Sequence, residues 1–184
     1  LGDTDKIAQS LEETSGREVS IISSVERPVP LQYGYVLDDV HSVISTQIQQ
    51  GHGPVYVVHF AQEAAVETAQ QLANLGVSTR EQRDKIKEAL RDTRFTTVFG
   101  KTLKRLLLTG VGVHHAGMLP RYRRLVENLA QDGLLPVICG TDTFGVGINV
   151  PIHTVVFTML TKYDGFKQRR LRTREFHQIA GRAV

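Results

Sequence analysis

Two polar residues near the end of the sequence have the type and spacing to act on a phosphate group. A helix is predicted from Arg174 onward, and it places Gln178 and Arg182 four residues apart, on the same face. An arginine held in this way can stabilise the negative charge that develops on a γ-phosphate during its transfer. The alternative is that Arg182 makes a salt bridge with a structural role.

A second segment has the residue types of a site for a phosphodiester backbone. Gly117 permits close approach of the protein backbone to a ligand, and Pro120 suits the first turn of a helix. The predicted helix carries Arg121 and Arg124 on one face. Its amino end would bind an anion through free N–H groups and the helix dipole. The alternative is an ordinary capped helix at the surface.

The segment 140–151 follows a predicted strand and is dense in glycine. Small residues permit backbone contact with a phosphate or a ribose, and the Thr141 hydroxyl could donate a hydrogen bond to a phosphate oxygen. The alternative is a tight loop that needs glycine for a positive φ.

Two further glycine segments resemble nucleotide-binding motifs but lack a required residue. Gly100 is followed by lysine and threonine, as in a phosphate-binding P-loop, but Phe95 stands where that motif needs glycine. Lys101 is therefore expected to be an exposed helix lysine. Gly147 belongs to a partial dinucleotide fingerprint in which Val150 occupies the position of the last glycine. A stand-alone Rossmann-type enzyme is disfavoured for this reason.

The spacing of histidine and cysteine predicts no metal site. His114 and His115 are adjacent, so they point to opposite sides of a strand and do not form the i,i+4 pair of a helix-borne site. The single cysteine, Cys139, lies in an apolar segment and is expected in the core, not as a nucleophile. One cysteine also excludes an internal disulfide, and with it a disulfide-stapled secreted scaffold.

These residues must be positioned by two kinds of segment that alternate along the chain. Short runs rich in β-branched residues predict strands at 19–22, 31–36, 54–60, 111–115, 136–139 and 153–157. Helical spacing of apolar residues predicts helices near 3–14, 40–48, 65–73, 80–90, 101–108, 121–130 and 174–180. We therefore expect an α/β fold with a mainly parallel sheet of about six strands, covered on both faces. In such a sheet, ligands bind at the carboxyl ends of the strands.

Length and composition are those of about one globular domain, with 184 residues of which 41% are hydrophobic and 22% charged. No apolar run approaches the ~18 residues of a membrane span, and the polar first residues do not form a signal peptide, so a cytoplasmic location is expected.

Residues 1–99 hold 9 lysines and arginines against 14 carboxylates, whereas residues 100–184 hold 13 against 5. This asymmetry favours an anionic polymer as partner, and the basic residues between 162 and 174 could follow a nucleic-acid backbone. A solvated basic surface is the alternative.

The first 27 residues differ from the rest of the chain. A polar helix is followed by a segment with Pro28 and Pro30, which favour an extended connector. We expect residues 1–27 to be the tail of a preceding domain with its linker, and residues 28–184 to form the domain that carries the motifs.

Taken in order, these segments resemble the second RecA-like domain of superfamily-two helicases, most closely the superkiller-type branch that includes the exosome-associated RNA helicases. The resemblance covers about residues 28–183. It rests on segments similar to motif IV, the His-His-Ala-Gly motif, motif V, a segment after motif V, and motif VI, here at 54–62, 114–120, 140–151, 162–165 and 178–183. It implies a RecA-like three-layer sandwich of the P-loop NTPase type. Residues 1–3 are similar to the sequence after the Ser-Ala-Thr motif of the family's first RecA-like domain.

For the nucleic acid, the resemblance implies that Thr141 and Gly117 contact phosphates of one strand. The helix that begins at Arg121 and continues through Arg124 would contact the same strand. The implied substrate is a single-stranded or partly duplex nucleic acid, with RNA favoured over DNA.

For ATP, the resemblance implies that Gly147 and Asn149 face the ribose and phosphates, that Gln178 couples to the hydrolytic site, and that Arg182 approaches the γ-phosphate. ATP and Mg²⁺ would be held mainly by the first RecA-like domain of the same protein. Val184 occupies the second glycine position of motif VI, and the sequence stops before the last arginine of that motif.

We therefore expect the C-terminal half of an ATP-dependent helicase, which couples ATP hydrolysis to translocation on a strand or to unwinding. Because the P-loop and the acidic magnesium motif are not in this sequence, the chain alone is expected not to hydrolyse ATP. The alternative is a non-enzymatic module that docks nucleic acid or protein on its basic half.

Overall fold

A computed structural model describes residues 3–22, 29–142 and 150–183 of the chain. The chain divides into two compact units, Leu1–Gln32 and Tyr33–Val184. None of the helices in the described part has the length and apolar character that a membrane span requires.

The first unit contains helix α1 (Thr4–Ser15), over the residues for which a helix is predicted. The helix begins after a capping aspartate and ends at Gly16, which adopts the left-handed conformation that favours glycine. The strand predicted at 19–22 is wrong, since these residues are not in a strand. A strand needs a neighbour for its backbone hydrogen bonds, and here the Val19 N–H donates to the Glu12 carboxylate.

The second unit is built on a sheet of four parallel strands in the order β2-β3-β1-β4. In chain order these strands are β1 (Val55–His59), β2 (Val111–His114), β3 (Val137–Thr141) and β4 (Thr154–Phe157). Val137 pairs with both Val55 and Val111, and Val55 also pairs with Thr154, so the amino ends of the strands are aligned. All residues of β1, β2 and β3 are buried, as expected for parallel strands inside a sheet.

Helices cover both faces of this sheet. They are α2 (Val40–Gln49), α3 (Gln62–Leu72), α4 (Arg80–Ala89), α5 (Val98–Leu107), α6 (Pro120–Gln131) and α7 (Thr173–Ala180). Each agrees with a predicted helix to within three residues at either end. The chain runs from β1 two places along the sheet to β2 and then back to β3. Because such crossovers are right-handed, this reversal puts α3 and α6 on opposite faces of the sheet. A parallel sheet with helices on both faces is the predicted RecA-like α/β fold class, which is therefore confirmed.

The expectation of about six strands in the parallel sheet is wrong, because the described sheet has four. Residues 31–36 are not in a strand, and the Tyr33 ring packs against the Phe176 ring with centroids 5.9 Å apart. Two strands that the sequence pattern missed, β5 (Thr161–Tyr163) and β6 (Gln168–Arg170), pair antiparallel in a separate hairpin. They were missed because they are short, largely exposed and polar.

Packing also settles two segments that imitate functional motifs. Gly100 lies inside α5, where the Tyr122 hydroxyl lies so close that a Cβ atom would not fit, and Lys101 is exposed. Gly100 is therefore a packing glycine and not part of a phosphate-binding loop. Cys139 is fully buried in β3, and burial raises the pKa of its thiol, so it is a core residue as predicted.

Candidate nucleic-acid and nucleotide site

Thr141 is the last residue of β3, and its register partner is His59 at the end of β1. The Tyr56 hydroxyl, fully buried, donates a hydrogen bond to the carbonyl of Thr141. Gly140 makes room for this contact, because a Cβ there would lie 2.5 Å from the His114 carbonyl and 3.1 Å from the Tyr56 hydroxyl. The backbone of Thr141 is thereby fixed at the carboxyl edge of the sheet, where α/β proteins bind ligands.

The two adjacent histidines have different neighbours, as expected for opposite sides of a strand. His114 Nε2 lies 2.7 Å from Glu127 Oε1 on α6. The His115 ring meets the Phe99 ring of α5 edge-on, with centroids 5.6 Å apart. Burial lowers the pKa of both imidazoles, although the Glu127 carboxylate acts in the opposite direction on the pKa of His114. The histidines thus connect the end of β2 to helices that flank the site.

Gly117 is exposed in the loop between β2 and α6. The three atoms nearest to a Cβ at this position would all belong to the amide end of the Gln62 side chain, which is flexible and also exposed. Packing therefore does not require glycine here, which leaves close approach of a ligand as a reason for it. Gln62, the first residue of α3, is a neighbour that sequence reasoning did not select, although it ends the segment similar to motif IV.

Helix α6 presents its first arginines to solvent. Its N-terminal cap, Leu119, offers no side-chain hydrogen bond to the first amides, and Pro120 opens the helix as predicted. Arg121 donates to the Thr96 hydroxyl at 3.0 Å, and its guanidinium lies 4.9 Å from the centroid of the Tyr122 ring. These contacts orient Arg121 without neutralising its charge.

A cavity of about 460 Å³ lies beside these arginines. Arg121, Arg124 and Asn128 line one side of it, so the predicted common face of α6 is confirmed. Arg94, from the loop after α4, lines the other side. Sequence reasoning missed Arg94 because nothing in the spacing connects that loop to α6. Asp92 also lines the cavity, so three arginines face one carboxylate and the lining keeps the net positive charge that a phosphate requires.

Two cations of the β5–β6 hairpin, Lys162 and Arg169, are bound to carboxylates within the molecule. Lys162 Nζ lies 2.7 Å from Glu175 Oε1, and Arg169 donates two hydrogen bonds of 2.8 Å to the same carboxylate. These bonds hold the pKa of Glu175 well below its ordinary value, with the Arg169 contact as the largest cause. Part of the basic stretch between 162 and 174 is therefore neutralised before any polyanion binds.

Arg182 lies in the turn after α7, and the next residue, Ala183, forms a parallel bridge with Ile152. The Arg182 side chain is half-buried, and its Nε is buried without a hydrogen-bond partner among the described residues. Within the same residues no carboxylate lies at salt-bridge distance from it. The described residues therefore give no support to the alternative that Arg182 makes a structural salt bridge. Gln178, in the last turn of α7, is exposed. Because α7 ends at Ala180, the prediction that one helix carries Gln178 and Arg182 on the same face is wrong.

The bridge puts Arg182 beside the amino end of β4, whereas Thr141 is at the carboxyl end of β3. Helix α7 runs back toward the amino ends of the strands. Its eight residues span about 12 Å, close to the roughly 13 Å of the four residues of β4, so the end of the helix reaches the level at which β4 begins. The expectation that site residues gather at the carboxyl ends therefore holds for Thr141 and is wrong for Arg182. Gly147 and Asn149, predicted to face ATP, lie outside the described residues, as does Val184.

No family model matches the chain. Curated proteins do, among them the DExH-box ATP-dependent RNA helicase DExH9 of Arabidopsis thaliana, 31% identical over 152 residues that cover 79% of this chain. The ATP-dependent RNA helicase mtr4 of Schizosaccharomyces pombe is 30% identical over 161 residues, again 79% of the chain. Superkiller complex protein 2 of Mus musculus is 36% identical over 139 residues, or 71% of the chain.

The matched segments are 15%, 14% and 11% of these three proteins, so the chain spans about one seventh of the relatives' length or less. Their names agree with the branch that the motifs at 114–120 and 140–151 resemble. The parallel sheet with helices on both faces is consistent with a RecA-like fold. The chain therefore belongs to the superfamily-two DExH-type helicases, in their superkiller-like branch.

Proposed function

We propose that this chain is the second RecA-like domain of an ATP-driven helicase that translocates on RNA or unwinds it. Two of the similar proteins are named as ATP-dependent RNA helicases, which supports both the reaction and RNA as substrate. The observation that carries the proposal is the similarity to these helicases, supported by the Arg182 side chain, which is half-buried and has no carboxylate partner among the described residues. The place of Arg182 at the amino ends of the strands is not the expected one and counts against its proposed role.

The nucleic acid would lie along the carboxyl edge of the sheet. Thr141 would donate its hydroxyl to a phosphate oxygen, and the exposed loop at Gly117 would let the strand approach the protein backbone. Arg121 and Arg124 would neutralise phosphates farther along the same strand. These contacts are to the backbone of the strand, so binding would depend little on base sequence.

ATP would be bound at the amino edge, mainly by the first RecA-like domain. The buried Nε of Arg182, which has no partner among the described residues, fits a phosphate oxygen, and the exposed Gln178 in the last turn of α7 would make a polar contact with the same site. ATP with Mg²⁺ supplies the phosphoanhydride bond whose hydrolysis drives the cycle. Arg182 would stabilise negative charge on the γ-phosphate, while Gly147 and Asn149 remain predicted contacts of the ribose and phosphates.

The separation of the two edges suggests how the domain would work. Closure against the first RecA-like domain would bring Arg182 to the nucleotide while Thr141 holds the strand. After hydrolysis the two domains would open and Arg182 would move away from the nucleotide. The protein would then alternate between tight and weak binding of the nucleic acid. Each function would use its own edge of the same sheet.

The test is Arg182→Ala in the full-length protein, with Arg105→Ala, an exposed arginine of α5, as control. We expect Arg182→Ala to lower kcat for ATP about 10³-fold or more, with RNA affinity changed by less than about twofold, because the arginine acts on the phosphate alone. Arg105→Ala should behave as the parent protein. The isolated chain should not hydrolyse ATP.

Two outcomes would contradict the proposal. Loss of RNA binding in Arg182→Ala with ATP hydrolysis intact would place this arginine in the wrong site. A full-length protein with no ATPase at all would favour the non-enzymatic docking module, which has no hydrolysis to lose.

A further inference from the structure

Lys162, on β5, contacts two carboxylates that belong to different parts of the candidate site. Its Nζ lies 2.7 Å from Glu175 Oε1 and 3.6 Å from Asp142 Oδ2. The side chain is only 21% exposed, so salt screens these interactions less than those of a surface pair. The ammonium group is thus shared between the end of β3 and the start of α7.

Each carboxylate is close in sequence to residues with proposed roles. Asp142 follows Thr141, which would bind a phosphate of the strand. Glu175 lies in the first turn of α7, the helix that carries Gln178 and ends just before Arg182. The distance along the helix axis from Glu175 to Arg182 is about 10 Å. Lys162 therefore connects the strand-binding edge to the helix of the ATP-binding edge.

Glu175 does not need Lys162 for neutralisation. Arg169 already binds it through two hydrogen bonds of 2.8 Å, and the backbone N–H of Arg172 donates a third of 2.8 Å. A bidentate arginine pair of this kind is strong and geometrically specific. What Lys162 adds is therefore the contact with Asp142.

We propose that Lys162 is a positioning residue that couples nucleic-acid binding at Thr141 to the placement of Arg182; the inference rests on the proposed function. A phosphate bound beside Thr141 brings negative charge close to Asp142. That charge changes how the Lys162 ammonium is shared between Asp142 and Glu175. Because α7 is a rigid element, a shift at its first turn reaches the turn that carries Arg182.

The experiment measures RNA-stimulated ATP hydrolysis by the full-length protein with Lys162→Met, and with Lys101→Met as control. Lys101 is an exposed lysine of α5, outside the residues proposed to bind RNA or ATP. We expect Lys162→Met to lower the ratio of stimulated to unstimulated kcat about tenfold, a usual size for coupling between two sites. The KM for ATP and the RNA concentration for half-maximal stimulation should change by less than about twofold. Lys162→Arg, which keeps the charge, should restore most of the stimulation.

A double-mutant cycle with Asp142→Asn tests the route of the coupling. If Lys162 acts through Asp142, the effects of the two substitutions on the stimulation ratio should not add. Additive effects would overturn the inference, as would an equal loss of stimulated and unstimulated turnover, which a structural role would produce. Loss of RNA affinity alone would show a direct phosphate contact instead. A wild-type protein without RNA-stimulated hydrolysis would overturn the proposed function itself and this inference with it.

Discussion

Two basic regions of the molecule differ in what their cations contact. On α6, Arg121 and Arg124 are exposed, and no carboxylate of the described residues lies at salt-bridge distance from either. On the hairpin and α7, Lys162 and Arg169 are both bound to Glu175. The two regions look alike in the sequence as clusters of positive charge. In the second region the carboxylates bind Lys162 and Arg169, whereas its other cations are exposed and have no carboxylate at salt-bridge distance among the described residues; these are Lys167, Arg170, Arg172 and Arg174.

The difference shows that one carboxylate can make two cations of a basic cluster unavailable to a polyanion. Glu175 fixes two cations in geometries of 2.7 and 2.8 Å, so a polyanion would have to break those bonds to use them. Arg121 is instead held by the neutral Thr96 hydroxyl and the Tyr122 ring, which leave its charge available. The charge asymmetry of the chain therefore overstates the surface that can bind phosphate.

The largest effect that would sharpen this comparison is expected from Arg121→Ala combined with Arg124→Ala. For two phosphate contacts to a single strand, the slope of log affinity against log salt should become shallower by about 1.4, and affinity near 0.1 M salt should fall on the order of 20-fold. Fluorescence anisotropy with a single-stranded RNA across a salt series measures both. Lys101→Ala, an exposed lysine of α5, is the control. An unchanged salt slope would remove α6 from the strand-binding surface.

Glu175→Gln should make the cations of the hairpin more like those of α6, because it removes the carboxylate that binds Lys162 and Arg169. The glutamine keeps an acceptor for the Arg172 N–H but leaves Lys162 and Arg169 without their shared charge partner. The free energy of unfolding should fall by about 2 kcal/mol, the usual scale for hydrogen bonds to a charged group. Released cations should also steepen the salt dependence of RNA binding, by about 0.7 for each one that reaches a phosphate. Urea denaturation and the same salt series test both; an unchanged salt slope would show that these cations remain out of reach.

Much of the fold could be predicted because the spacing of apolar residues in the sequence indicates which side of a helix or strand is buried. The helices and the four strands of the sheet have apolar patterns that match their buried faces, as Val55–His59 illustrates. Residues 31–36 have the same apolar character but no strand beside them, and a strand requires a partner that local sequence does not reveal. The β5–β6 hairpin was missed for the opposite reason. Its two strands pair although their residues are polar and show no alternation of apolar and polar positions.

The candidate site was predictable in its residue types but not in its geometry. Thr141 follows from the rule that ligands bind at carboxyl ends, which depends only on strand direction. The place of Arg182 depends on the length of α7 relative to β4, and the pairing of Lys162 with Asp142 depends on the hairpin. Both are consequences of three-dimensional packing, so no spacing in the sequence indicates them.

The smallest effect is a difference in acid stability between the two regions. Because the pKa of Glu175 is lowered from its ordinary 4.5 in the folded protein, its pairing contributes stability above that pH, and this contribution is lost as pH falls toward the folded pKa. The unfolding free energy of the wild-type chain should therefore fall more steeply than that of Glu175→Gln between about pH 5 and pH 3, so that the two converge in acid. Taking the difference between the variants cancels the other carboxylates. Arg121→Ala, which removes no titrating partner, should give a curve parallel to the wild type; a parallel curve for Glu175→Gln would mean that Glu175 does not hold its two cations in solution.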